Sequence, residues 1–304
     1  MPDDVHRLGC EPPGIELEPG LEDKMSTTFQ GERVRANGID IHYLDQGEGE
    51  PLVLLHGGVV STNPIWTGVP VAYAGYMDTL AEHFRVIAPD TRGCGRTVHT
   101  GGPISFDLLA DDVAALIDVL GLEEPLIAGF SEGAITATIL GIRHPDAVRA
   151  IVNDAGFDVF DPHAPTIATM RQILGGSPNA TEPDPDAAAR GFETSEQMCA
   201  AFELMKRDQD SGQGEGHWRE YLRLSWDRCT QPPGYTHGDL SKIAVPTLIL
   251  VGDRDDFCSV EMATAAFRQL ADGELAILPG HGHYIPPAAI DATIEFFARR
   301  LARS

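Results

Sequence analysis

The sequence predicts an α/β fold built on a mainly parallel, doubly wound sheet. Two observations predict it. Short apolar runs without polar alternation recur along the chain, as strands buried on both faces do. Segments with helical apolar spacing lie between them, and that alternation is the signature of parallel strands joined by helices. At 304 residues and 42% hydrophobic, the chain is long enough for one large domain carrying an insertion.

The elements follow in order. Met1 to Lys24 is rich in Pro, Gly and acids and lacks the apolar core of a signal peptide, so residues 1–25 read as a flexible tail. Arg33 to Gly47 alternates like two paired strands around an Asn37-Gly38 turn. Apolar runs follow at Pro51 to Leu55, Arg85 to Ala88, Leu126 to Ala128, Ala150 to Val152, Thr247 to Val251 and Leu275 to Leu278. Helical spacing marks Phe106 to Leu120, Val260 to Leu270 and Ile290 to Leu301. Ala134 to Ile142 is apolar nearly all round and reads as a deeply buried helix.

The alternation breaks from about Phe157 onward. Pro-rich loops (Asp161-Pro162, Ser177-Pro178, Pro183 to Pro185, Pro232-Pro233) enclose helix-like pieces at Glu196 to Lys206 and Gly216 to Asp227. Residues 157–237 therefore read as a helical cap inserted into a core formed by residues 26–156 and 238–304. Trp218, Tyr221, Leu222, Leu224 and Trp226 argue against a disordered linker there.

Composition excludes several functions. Net charge is −24, with only three lysines, and such a surface repels nucleic acid and anionic membrane. No run approaches the roughly 18 apolar residues of a membrane span. The five cysteines (Cys10, Cys94, Cys199, Cys229, Cys258) are scattered, with no C-x-x-C pair, so reduced cysteines in a cytoplasmic protein are expected. No phosphate loop, haem motif or metal-ligand cluster appears, so neither a cofactor nor a metal is expected, and the partner is a small-molecule substrate.

Gly129-Phe130-Ser131-Glu132-Gly133 reads G-x-S-x-G. It follows an apolar strand and opens an apolar helix, the setting that a nucleophilic serine on a sharp turn requires. Glycines on both sides let strand and helix approach closely. The helix N-terminus favours developing negative charge.

With this motif in place the chain resembles the α/β-hydrolase family, and further segments match. His56-Gly57-Gly58 at a strand end resembles the family's oxyanion loop. Pro89-Asp90-Thr91-Arg92-Gly93-Cys94-Gly95-Arg96 resembles its P-D-x-R-G-x-G-x-S turn, with Thr97 in place of the usual serine. Val251 to Asp255 resembles the acid loop and Pro279 to His283 the histidine loop. The resemblance covers about Phe29 to Ala155 and Ile243 to the end, and implies an eight-stranded sheet.

The resemblance also implies roles. Ser131 is the nucleophile and His283 the base, because the P-G-x-G-H pattern places the imidazole after the second glycine; His281 is then a loop residue near the mouth. Family spacing selects Asp255 as the acid over Asp253, which would hold the loop, and Asp256. Backbone N–H groups of Glu132 and of the His56–Val59 loop bind the oxyanion. Gly58 is preferred to Val59 in that loop. The Glu132 side chain either complements the helix dipole or contacts a leaving group or cap residue. His56 reads as a loop anchor. Val59 and Trp66, in the long loop after Gly58, border the expected pocket. Trp218 either lines an apolar lid or packs the cap onto the core.

The activity implied is hydrolysis of a small or medium carboxylic ester or lactone through an acyl-enzyme. Amide cleavage, carbon–carbon cleavage of a β-diketone-like substrate and perhydrolysis use the same constellation. Serine in place of aspartate argues against haloalkane dehalogenase and epoxide hydrolase chemistry. A non-catalytic receptor on this fold is the alternative of another class, against which all three triad positions being filled argues.

Overall fold

The computed structural model describes residues 31–59, 75–156, 164–192, 196–231 and 234–302. The expected tail, residues 1–25, and Trp66 lie outside them. Eight strands form one sheet: β1 (Glu32–Ala36), β2 (Ile39–Gln46), β3 (Pro51–Leu55), β4 (Arg85–Pro89), β5 (Leu126–Phe130), β6 (Ala150–Asp154), β7 (Thr247–Gly252) and β8 (Gly273–Leu278). Their order is β1-β2-β4-β3-β5-β6-β7-β8. The first two pairings, β1 with β2 and β2 with β4, are antiparallel and the rest parallel.

Burial explains the sequence pattern. β5, β6 and β7 are buried at every residue and β3 at all but its first, because helices cover both faces of the sheet. The outermost strands, β1 and β8, are largely exposed or half-buried. Asn37 (φ 42°) and Gly38 (φ 77°) supply the left-handed residues that a two-residue hairpin turn requires.

The helices of the core are α1 (Tyr76–Ala81), α2 (Phe106–Val119), α3 (Glu132–Arg143), α8 (Val260–Phe267) and α9 (Pro287–Leu301). All residues of α3 from Glu132 to Ile142 are buried, as its apolar circumference predicts. Between β6 and β7 lies an insertion of α4 (Pro165–Gly175), α5 (Pro185–Phe192), α6 (Glu196–Gln213) and α7 (His217–Thr230). Pro183 to Pro185 reads as a loop from the sequence, which sets no bounds for α4 or α5. Pro165 opens α4, and Pro185, at the end of that Pro-rich stretch, opens α5, where the absent N–H is no loss.

The Pro89–Arg96 turn fastens three parts of the molecule together. Arg92 donates to both carboxylate oxygens of Asp112 on α2, at 2.7 and 2.6 Å, and to the Asn37 carbonyl in the hairpin at 3.2 Å. The insertion docks on the same turn. Gln209 Oε1 accepts from the Gly95 amide at 3.0 Å, Gln213 donates to the Gly95 carbonyl at 3.1 Å, and Arg96 pairs with Asp208 at 2.9 Å. Backbones meet closely here, since a Cβ at Gly212 would overlap the Gly95 carbonyl.

Cys94, Cys229 and Cys258 are buried thiols. Cys199 is disulfide-bonded, which corrects the expectation of reduced cysteines throughout. Among the described residues no helix is long and apolar enough to cross a membrane.

Asp112→Ala strands a buried guanidinium and should cost about 3–5 kcal/mol in urea denaturation, whereas Arg92→Met with Asp112→Leu should recover most of that loss.

Candidate functional site

Parallel register brings the strand ends together at one edge. Leu55 pairs with Gly129, Phe130 with Asp154, Asp154 with Leu250 and Gly252 with Leu278. The loops leaving β3, β5, β7 and β8 therefore meet outside the carboxyl edge, where open α/β sheets place their ligands. The chain also turns from β3 to β4 on one side and to β5 on the other, making a topological switch point there.

Ser131 caps β5 with φ 52° and ψ −116°, a conformation that L side chains rarely adopt. Two close approaches hold it. A Cβ at Gly129 would overlap the Gly133 carbonyl, and one at Gly133 would overlap the Leu55 carbonyl. The Ser131 amide donates to the Asp154 carbonyl at 2.9 Å, tying the turn to β6.

His283 reaches both expected partners. Its Nδ1 lies 2.8 Å from Asp255 Oδ2 and its Nε2 lies 3.0 Å from Ser131 Oγ. A carboxylate only accepts, so Nδ1 carries the proton and Nε2 is left to accept from the serine hydroxyl. Asp255 Oδ1 accepts from the Phe257 and Cys258 amides, both at 2.8 Å, which fixes the carboxylate. The imidazole lies between Phe130 and Phe257, with ring centroids at 5.0 and 4.7 Å.

The competing residues fall elsewhere. Asp253 Oδ1 accepts from the Gly280 amide at 2.5 Å and so ties the acid loop to the histidine loop. Asp256 is exposed. His281 Nδ1 meets Tyr284 Oη at 2.7 Å. Asp154, ending β6, is a buried carboxyl that its position in the sequence did not single out. Burial, and then the nearby negative Asp255, push it well above the usual carboxylate range.

His56 orders the loop after β3. Its Nε2 lies 3.2 Å from the Thr91 amide, so Nε2 accepts and Nδ1 donates to the Gly57 carbonyl at 2.6 Å. Burial lowers its pKa and keeps the ring neutral. Val59 is buried with φ 57°, so the chain turns sharply just past Gly58. The Glu132 amide is one of the first four of α3, which have no acceptor within the helix. The Glu132 side chain meets the insertion, pairing with Arg228 on α7. Trp218 packs edge-on against Phe202 at 5.6 Å and under the Arg219 guanidinium at 4.1 Å, a position inside the insertion.

Arg228 is the residue that sequence reasoning missed. A signal existed: it shares the buried stripe of α7 with Tyr221, Leu224 and Ser225, and a cation on a buried helix face requires an acidic partner.

A family model for the alpha/beta hydrolase fold matches residues 50–191. The chain has the α/β-hydrolase fold. The chain is 25% identical over 294 residues to a 2-hydroxy-6-oxo-6-(2'-aminophenyl)hexa-2,4-dienoic acid hydrolase of Metapseudomonas resinovorans, covering 92% of this chain and 95% of the relative. It is 25% identical over 277 residues to a bifunctional esterase/perhydrolase of Acinetobacter calcoaceticus, covering 82% of this chain and 91% of the relative. Its fold matches that of the enol-lactonase from Burkholderia xenovorans LB400 with a TM-score of 0.65 at 21% identity, covering 89% and 100% of the two chains.

The neutral, buried His56 makes stability depend on pH. An unfolded imidazole titrates near 6.5, so below that the unfolded chain binds a proton that the folded chain refuses. His56 thus contributes stability that is present above about pH 6.5 and lost as pH falls toward the depressed folded value. His56→Gln should show a shallower loss of unfolding free energy between about pH 7 and 5, read by urea denaturation at each pH.

Proposed function

We propose that this α/β hydrolase cleaves a small or medium carboxylic ester or lactone through an acyl-enzyme formed on Ser131. One observation carries the reading: an unbroken hydrogen-bonded chain from Asp255 through His283 to Ser131 Oγ. A serine hydroxyl becomes nucleophilic when a base takes its proton and an acid orients that base.

Ser131 Oγ attacks the carbonyl carbon while His283 Nε2 takes the hydroxyl proton. The carbonyl oxygen becomes an oxyanion and accepts from the Glu132 amide and from the loop after His56, with Gly58 as the donor there. The carbon–oxygen bond then breaks, and the leaving alkoxide takes the proton from His283. Water next gives a proton to His283 and attacks the acyl carbon. Ser131 leaves with that proton and the acid is released. Asp255 holds the imidazole in one tautomer and stabilises its cation. The inserted helices act as the cap over this edge of the sheet.

A second reading, cleavage of a carbon–carbon bond in a vinylogous keto acid, is favoured by the full-length likeness to a hexa-2,4-dienoic acid hydrolase. Such a substrate carries a carboxylate that seeks a free cation. Arg228, on the helix facing the elbow, is committed to Glu132 and Ser225, which favours the neutral ester or lactone.

The test combines labelling and turnover. A fluorophosphonate probe should label the wild type and not Ser131→Ala, and a panel of p-nitrophenyl esters, lactones and vinylogous diketones with product identification sorts the substrate classes. An unlabelled, folded wild type would leave the receptor reading standing. Asp255→Asn should lower kcat about 10³–10⁴-fold, and Asp253→Asn about tenfold or less; the reverse order would move the acid to Asp253.

A further inference from the structure

Glu132 follows the nucleophile, and its carboxylate is buried against the insertion. Arg228 Nε donates to Oε2, and the Cys229 thiol donates to Oε1 at 3.3 Å. On its other side the carboxylate fills the space where a side chain at position 58 would begin: a Cβ on Gly58 would overlap it. A negative group on one of the two residues whose amides receive the oxyanion in the mechanism above is thus packed against the other.

An unscreened carboxylate there opposes the reaction. Negative charge grows on the substrate oxygen in the transition state, and repulsion between like charges is strong away from water. His56 interacts with Glu132 but is kept neutral by burial, so it supplies no positive charge. Arg228 does. Burial works against its charge, yet the attraction of Glu132 raises its pKa and keeps it protonated. Its Nη2 donates to Ser225 Oγ at 2.9 Å, and its Cζ lies 5.5 Å from the Tyr221 ring centre, so the guanidinium is anchored to its own helix as well.

We infer that Arg228 is a positioning residue for the reaction: it neutralises the Glu132 carboxylate and holds it against Gly58, so that the oxyanion meets N–H dipoles without a facing negative charge. The inserted helices thereby complete the electrostatics of the nucleophile turn. The inference rests on the acyl-enzyme reading.

The experiment compares Arg228→Met, Arg228→Lys, Glu132→Gln and the double variant Glu132→Gln with Arg228→Met. Turnover of a p-nitrophenyl ester is counted per site labelled to completion by the fluorophosphonate, which removes unfolded protein from the comparison. Arg228→Met should lower kcat about 30-fold, equivalent to ~2 kcal/mol. Its KM should move less than about threefold, since the lost interaction matters mainly in the transition state. The double variant, which restores neutrality, should return kcat to within about fivefold of wild type, and Arg228→Lys should keep part of the rate. Equal losses in the single and double variants, a loss confined to KM, or wild-type kcat in Arg228→Met would each overturn the inference. If Arg228→Met does not fold, the double variant and Arg228→Lys decide: a double variant about 30-fold slower than Glu132→Gln overturns it, and one within about fivefold of Glu132→Gln supports it. A wild type that neither labels nor turns over overturns the acyl-enzyme reading and this inference together. A wild type that does both, with variants behaving otherwise than expected, overturns the inference alone.

Discussion

The backbone of Ser131 is the constraint from which the rest of the site follows. A residue held at φ 52° and ψ −116° costs about 1–3 kcal/mol and persists only where its surroundings dictate it. Here they do so from three sides. Gly129 touches the start of α3, Gly133 touches the end of β3, and the Ser131 amide is bonded to the end of β6. Each contact fixes a neighbour in return. The strand ends must finish level, and once they do, the loops after β7 and β8 arrive within reach of the hydroxyl.

Charge around that turn is arranged so that few groups carry it. Asp255 has its oxygens occupied by two backbone amides and the imidazole. Burial and the negative Asp255 favour the neutral form of the next carboxyl, Asp154. Glu132 is matched by Arg228. The insertion is held at two places of different character. Gln209, Gln213 and Asp208 fasten α6 to the Gly95–Arg96 backbone and the Arg96 side chain through amide hydrogen bonds and an ion pair, and α7 is fastened by the buried Arg228–Glu132 pair. Buried pairs of this kind stabilise weakly for their cost, so their geometry is better explained by what they position.

Much of this was legible in the sequence because it follows from local rules. Apolar runs ending at Gly or Asp gave the strands, Asn37-Gly38 gave the hairpin, and glycines flanking Ser131 gave the turn. The loops bearing Asp255 and His283 were readable from a family resemblance, and the structure places them in contact with each other and with Ser131. What escaped depends on distance along the chain or on a residue's double meaning. Pro185 looked like a loop former, yet proline is equally at home in the first turn of a helix, and only packing decides. Glu132 and Arg228 are 96 positions apart, so neither announces the other. Asp154 lies just past the apolar run Ala150 to Val152, and the Asp255 charge that acts on it is distant in the sequence.

The order of these parts along the chain has a consequence for biosynthesis. Ser131 precedes His283 by 152 residues, and the Gly95 amide precedes Gln209 by 114. A ribosome adding about 5–20 residues per second makes the serine some 8–30 s before its imidazole. During that interval β6 has no β7 beside it, and its open edge is a template for wrong pairing until the inserted helices and the last strands emerge. The nascent protein thus carries a vulnerable edge before it carries a complete site, and a premature stop anywhere before residue 283 leaves a chain without its histidine.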